Sequence, residues 1–176
     1  MENFAWQREA LDLFARHHET GERLPDALYA KMLQARHFHA GLFLVRQLEF
    51  ALFDFRLHLE YDPAEGARVL DVIKEVRKDV AVLTPPSWHR GPHAFTHIFS
   101  GGYAAGYYSY LWAEVLSADA FAAFEEAGVF DAATGARYRK EILAVGGSRP
   151  ALESFIAFRG REPEPDALLR SYGLAA

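Results

Sequence analysis

The sequence predicts an all-α fold of about six helices, with one long buried helix and a long loop rich in glycine and proline. Apolar residues recur at helical spacing along most of the chain, whereas no segment alternates apolar and polar residues as a half-buried strand does. The chain has 176 residues, of which 51% are apolar and 14% are aromatic, and this is enough material for one core. We therefore predict a single helical domain over residues 1–176.

Apolar periodicity and helix-breaking residues define the predicted helices in order. The first runs from Asn3 to about His17 and ends before Gly21. The second begins at Pro25 and continues to about His58, because no proline interrupts it, and its apolar centre predicts the long buried helix. The third runs from Asp62 to about Lys78.

The segment from Thr84 to Gly102 is predicted to be a long irregular loop, because it holds two Pro in a row, a Gly-Pro pair and a Gly-Gly pair. Loops of this length are usually functional or mobile. The loop leads directly into a helix predicted to reach about Glu126. Shorter helices are predicted over residues 131–144, 150–158 and 165–172.

Charge and composition exclude several classes of protein. The chain carries 19 basic and 24 acidic residues, and no run of Lys or Arg forms a basic stripe, so we expect no nucleic-acid partner. No apolar run approaches the roughly 20 residues that span a bilayer, so we expect no membrane association. The first residues lack the features of a secretion signal. With no cysteine in the chain, a reducing cytoplasmic location is predicted.

The segment from His97 to Phe124 carries the clearest chemical signal. After Gly101-Gly102, three tyrosines occupy positions 103, 107 and 110, and this spacing predicts one stripe on a helix. A buried tyrosine needs a hydrogen-bond partner, so a row of phenols beside His97 indicates a surface that binds a polar ligand. The spacing also fits an aromatic stripe that packs and leaves its oxygens at the water-exposed rim.

Several stretches of the chain carry a resemblance to a known family. They are the His97–Phe124 segment, Met1–Trp6, His18–Gly21, Arg46–Ala51 and Phe158–Pro163, and they stand in the order that the family shows. Together they resemble the region downstream of the zinc site in the oligopeptidase A and thimet oligopeptidase family of zinc metallopeptidases, closest to the bacterial oligopeptidase A branch. The resemblance covers essentially the whole chain. It implies that the chain corresponds to the C-terminal part of the metallopeptidase catalytic domain.

The resemblance implies roles for particular residues. Tyr103 is expected to donate a hydrogen bond to the oxyanion of peptide hydrolysis, and His97 and Tyr110 are expected to bind the peptide main chain. Tyr107 is expected to lie on the same face, and Gly101 and Gly102 are expected to give the substrate-binding loop its freedom to close. The implied substrates are short peptides.

The zinc ligands that the resemblance implies are not found in this sequence. Family members bind zinc through a His-Glu-x-x-His helix and a further glutamate, and the similar stretch His18-Glu19-Thr20-Gly21-Glu22 is interpreted as a helix end and turn. We therefore expect zinc in the full-length family enzyme, none bound by this chain, and no activity of the isolated chain.

Two other groups of residues are interpreted as non-catalytic. His89, His93 and His97 are spaced by four, but Gly91-Pro92 interrupts any helix there, so no metal site is predicted. Asp54 and His58 are predicted to pair on a helix surface.

Three hypotheses remain open from the sequence. The first is the substrate-binding segment of an oligopeptidase, which pairs with a zinc-bearing part. The second is a zinc-free module that binds peptides without hydrolysis. The third is a structural remnant that self-associates through apolar surface, as a homo-oligomer.

Overall fold

The computed structural model describes residues 2–175 and confirms the all-α class. Among these residues there is no strand, and an isolated bridge joins Arg16 and Arg23. The α-helices are α1 (Arg8–Phe14), α2 (Asp26–His37), α3 (Ala40–Leu59), α4 (Val69–Val80), α5 (Ser109–Ala127), α6 (Ala132–Tyr138), α7 (Ala151–Arg159) and α8 (Asp166–Ser171). The 3₁₀ turns are Glu2–Trp6, Pro63–Glu65, Gly91–Ala94 and Thr96–Ile98, and a π-helical turn covers Arg139–Leu143.

The chain divides into two compact units. One contains residues 2–38 and 114–175, and the other contains residues 39–113. The expectation of one domain over residues 1–176 stays a prediction, and its end residues Met1 and Ala176 lie outside the described residues.

The predicted long second helix is wrong, because two helices occupy its place. α2 ends at His37, and α3 begins at Ala40. Between them Phe38 is extended and His39 has a φ of 58°, in the left-handed region that a right-handed helix cannot contain. The break has neither Gly nor Pro, so the usual breaking signals do not mark it.

The unit of residues 39–113 is built on the packing of α3 against α4. Phe53 and Leu57 of α3 meet Val72 and Ile73 of α4, and Ile98 of the following loop completes this core. α3 buries one face only. Leu48, Leu52, Phe55 and Leu59 repeat at helical spacing and are exposed.

The other unit contains a second aromatic core. Phe121 and Phe124 of α5 pack with Phe155 and Phe158 of α7, and Phe4 meets both α5 rings edge to face. Burial of such rings supplies the main stabilisation of this unit.

A buried carboxylate joins α5 to the chain after α7. Asp119 is 0% exposed, and it accepts bidentate hydrogen bonds of 2.6 and 2.7 Å from Arg161. The backbone amide of Glu164 donates to the same carboxylate, and Arg159 lies 3.3 Å from it. Both arginines of the Phe158–Pro163 stretch therefore lie beside this one buried acid, and Arg159 also donates two hydrogen bonds to Glu126.

Candidate functional site

The predicted site residues of the glycine loop and the tyrosine row lie together in the unit of residues 39–113. The ring of Tyr103 stacks on that of Tyr110 with centroids 5.2 Å apart, and Tyr107 lies 5.2 Å from Tyr110. The His97 ring lies 5.9 Å from Tyr103 and 6.1 Å from Tyr107. These four rings form one aromatic patch, which we call the tyrosine cluster.

The prediction that one helix carries all three tyrosines is wrong. α5 begins at Ser109, so Tyr110 lies in its first turn, whereas residues 103–108 form consecutive tight turns. Ala105 within these turns has a φ of 54°, which no continuous α-helix accommodates. The rings meet because the turns fold them together rather than because they share a helix face.

Asp54 of α3 fixes the turns that carry the tyrosines. Its side chain is 0% exposed, and its two oxygens accept hydrogen bonds of 2.9 Å from the backbone amides of Ala105 and Tyr107. His58 Nδ1 lies 2.9 Å from Asp54 Oδ1. The predicted pairing of Asp54 with His58 is therefore confirmed, but its predicted place on the helix surface is wrong for Asp54, since the carboxylate is buried and faces the turn. Its burial requires these partners, because a buried carboxylate without partners is strongly destabilising.

Both glycines of the loop are required by the backbone. A Cβ on Gly101 would lie 2.7 Å from His97 Cα, and Gly102 has a φ of 82°. The amide of Gly101 donates to the Thr96 carbonyl at 2.8 Å, and the amide of Tyr103 donates to the His97 carbonyl at 3.0 Å. These bonds fold His97 and Tyr103 onto one another, so the glycines shape the loop that holds the cluster.

The three tyrosines of the cluster differ in how exposed their side chains are. Tyr107 is half-buried, and its hydroxyl donates to Gln47 Oε1 at 3.1 Å. Tyr103 and Tyr110 are 38% and 41% exposed. Two of the three tyrosines are therefore part-exposed, and Tyr107 anchors the patch to α3.

The phenols of Tyr107 and Tyr110 stay protonated at neutral pH. Burial raises the pKa of Tyr107, and the nearby Arg46 opposes this shift. Hydrogen bonding with the Tyr103 phenol raises the pKa of Tyr110. Since an unperturbed tyrosine already titrates near pH 10, roughly three units above neutral, raised values keep both groups as hydrogen-bond donors.

The histidine spacing does not produce a metal site in the described chain. Gly91–Ala94 and Thr96–Ile98 are separate 3₁₀ turns, so His89, His93 and His97 do not share a helix. Within residues 2–175, no group of three His, Asp or Glu side chains could hold a metal ion. The stretch after His17 forms a turn, as predicted, in which the His17 ring accepts the amide of Thr20.

Comparison with known proteins identifies the family. The model of "Peptidase family M3" matches residues 1–174. The chain belongs to peptidase family M3. Oligopeptidase A of Salmonella typhimurium is 56% identical over 174 residues, and that match covers 99% of this chain but 26% of the relative. The organellar oligopeptidase A of Arabidopsis thaliana is 51% identical over 180 residues, which cover 100% of this chain and 23% of that protein.

Similarity extends beyond the relatives that are named oligopeptidase A. A dipeptidyl carboxypeptidase of Salmonella typhimurium is 34% identical over 175 residues, with 98% of this chain and 26% of that protein covered. The chain spans about a quarter of the length of these relatives. Family M3 is generally zinc-dependent. In the described part of this chain, no helix is both long enough and apolar enough to cross a bilayer.

Two residues that hold the site were not predicted from the sequence to belong to it. Asp54 and Gln47 lie more than 50 positions before the turns that they hold. A signal for Asp54 was present, because an acid amid the apolar run of Phe53 and Phe55 needs a buried partner. Nothing in the sequence identified the backbone amides of Ala105 and Tyr107 as that partner.

Proposed function

We propose that the tyrosine cluster is the peptide-binding surface of an oligopeptidase, a zinc metalloendopeptidase that hydrolyses short peptides. The observation that best supports this proposal is the pair of stacked, part-exposed phenols of Tyr103 and Tyr110 beside His97. A patch of phenol groups, which can donate hydrogen bonds, suits a ligand that is rich in carbonyl oxygens, and the peptide main chain is such a ligand. Membership of family M3 agrees with this choice.

Within this function the donors have separate roles. Tyr103 donates to the carbonyl oxygen of the bond to be cleaved, where negative charge develops during hydrolysis. Tyr110 and His97 bind main-chain groups of the peptide, so side-chain sequence matters little. Tyr107 holds the patch in place, and the loop of Gly101 and Gly102 closes beside the peptide.

Catalysis requires more than this chain provides. The relatives are about four times longer, and zinc belongs to the function proposed for the full-length enzyme. The donors described above would bind and orient the peptide, while the zinc-bearing part would supply a Lewis acid. The chain by itself is therefore expected to bind peptides without hydrolysing them, and the whole enzyme is expected to act in the cytoplasm.

Calorimetric titration of a capped alanine hexapeptide into the chain tests the binding role. Tyr103→Phe and Tyr110→Phe each remove one donor and should weaken binding about 2–10-fold. Tyr108→Phe is the matched control, because Tyr108 is exposed but its ring packs against Phe55, outside the cluster. Equal weakening by all three changes, or no binding by the wild-type chain, would remove the proposal.

Hydrolysis of a quenched-fluorescent peptide tests whether cleavage needs the zinc-bearing part in addition to this chain. The chain alone should show none, whereas a full-length relative should cleave the peptide until a chelator removes its zinc. Chelator-sensitive cleavage by the chain alone would contradict the expectation. If the full-length protein binds but never cleaves, the zinc-free binding module is the better description.

The exposed stripe of α3 favours a second candidate, which is self-association. Leu48, Leu52 and Phe55 are 39%, 40% and 46% exposed along one helix face. Exposed apolar stripes of this kind mark contact surfaces. A dimer or larger species in light scattering, reduced by Leu52→Gln, supports this candidate, and a monomer at high concentration contradicts it.

A further inference from the structure

A cavity lies in the same unit as the tyrosine cluster, between α3, α4 and the loop that follows Pro86. It has a volume of about 200 Å³, and its polar lining includes Arg46, Glu49, Arg77 and His89. Aromatic and aliphatic side chains form the rest, notably Phe50, Phe53, Ile73 and Phe95. Whole-ligand sites usually measure about 300–1,000 Å³, so this cavity suits one end of a longer ligand.

The cavity carries a net positive charge. Glu49 is only 3% exposed, and a single oxygen, Oε1, accepts from both Arg46 Nη1 at 2.7 Å and Arg77 Nε at 2.9 Å. Two guanidinium groups thus share one carboxylate. Each has five N–H donors and uses one of them in this pairing, so most of their donor capacity remains for an anion.

His89 adds an orphaned polar atom to the lining. Its ring packs over Gly91, where an added Cβ would lie 2.4 Å from His89 Cε1. The Nδ1 atom is buried and has no hydrogen-bond partner among residues 2–175. An unsatisfied buried group of this kind is destabilising, and a bound polar group would relieve it.

The cavity adjoins the tyrosine cluster through shared aromatic walls. Tyr107 contacts Phe50 and Phe95, with ring centroids 5.8 and 5.0 Å apart, and both phenylalanines also line the cavity. Arg46 lies over the Phe50 ring at 4.2 Å. A peptide held at the tyrosines therefore lies one aromatic layer away from two arginines.

We propose that this cavity binds a carboxylate group of the bound peptide, an inference that rests on the peptide-binding function proposed above. Paired guanidiniums recognise carboxylates through parallel hydrogen bonds, and the apolar walls accept the side chain of the residue that carries the group. That carboxylate is either the C-terminus of the peptide or an acidic side chain of its last residue. Both sources present the same chemistry to Arg46 and Arg77.

Three N-acetylated hexapeptides separate these sources in calorimetry: alanine with a free C-terminus, alanine with a C-terminal amide, and the amide with Glu as its last residue. At least one carboxylate-bearing peptide should bind about tenfold or more tightly than the alanine amide. The ratio of the dissociation constants of the alanine amide and the carboxylate-bearing peptide should fall towards one in the Arg77→Gln variant. The same is expected of Arg46→Gln, although Arg46 is more exposed than Arg77. The preference for the carboxylate should persist in Lys78→Gln, an exposed control with the same charge change on α4.

Sodium acetate provides a test that needs no peptide. It should shift the ring resonances of His89 in NMR spectra of the wild-type chain, but not in the Arg77→Gln variant. If all three peptides bind equally and acetate leaves His89 unmoved, the inference fails while the peptide-binding function stands. If no peptide binds but acetate shifts His89, the cavity is an anion site without a peptide role, and both proposals about peptides are overturned.

Discussion

Asp54 accepts a hydrogen bond of 2.9 Å from the backbone amide of Tyr107, 53 positions further along the chain. Its other oxygen accepts the amide of Ala105, at the same distance. One buried side chain of α3 therefore sets the backbone on which two of the three clustered tyrosines are carried. The arrangement of the phenols depends on α3 as much as on the tyrosine segment itself.

Substitution of Asp54 by Asn should loosen these turns. An amide nitrogen replaces one acceptor, so one buried N–H loses its partner, which typically costs about 1–3 kcal/mol. We expect urea unfolding to show a loss of this size, together with weaker peptide binding. Asp71→Asn is the matched control, because Asp71 is exposed and lies 3.6 Å from Lys74 on the surface of α4. Similar losses in both variants would mean that Asp54 has no special role.

Substitution of Gly102 by Ala should strain the loop before Tyr103. The φ of 82° at Gly102 is unfavourable for a residue with a Cβ, at a cost of about 1–2 kcal/mol. Gly135 lies within α6, and nothing lies within 4 Å of an added Cβ there, so Gly135→Ala should instead stabilise the chain by about 0.5–1 kcal/mol. Thermal unfolding measures both changes, and a neutral Gly102→Ala variant would contradict the strain.

The sequence predicted the helical class and most of the later helices, because apolar periodicity and proline or glycine signals mark them. It did not predict the break at His39, because neither Gly nor Pro marks the left-handed residue there. It predicted the membership of the tyrosine cluster but not its geometry. Positions 103, 107 and 110 fit a helix, yet Asp54 stabilises turns over residues 103–108 that no local pattern reveals.

Low pH should destabilise the unit that contains Asp119, because Asp119 then takes up a proton. Burial raises the pKa of Asp119, but hydrogen bonds from Arg161 and from the Glu164 amide outweigh it, so the net pKa is lowered. A lowered pKa in the folded state means that the unfolded state binds the proton more readily below about pH 4, so stability falls as the pH falls through the folded pKa.

The Asp119→Asn variant should change this profile in two ways. At neutral pH it should lose about 3–5 kcal/mol, because two arginines are left beside an uncharged group. Below about pH 4 its free energy of unfolding should fall less steeply than that of the wild-type chain. Urea unfolding at several pH values measures both effects. Parallel profiles for the two proteins would show that Asp119 does not carry the acid sensitivity.

The most direct test of the peptide-binding surface is NMR of the chain with ¹³Cζ-labelled tyrosine, in which the eight tyrosine signals are assigned by single Phe substitutions. On saturation with the capped alanine hexapeptide, we expect the Tyr103 and Tyr110 signals to shift, because their phenols donate to the peptide. The Tyr108 signal should stay in place. A peptide that binds while the Tyr103 and Tyr110 signals remain unmoved would contradict the role proposed for the cluster.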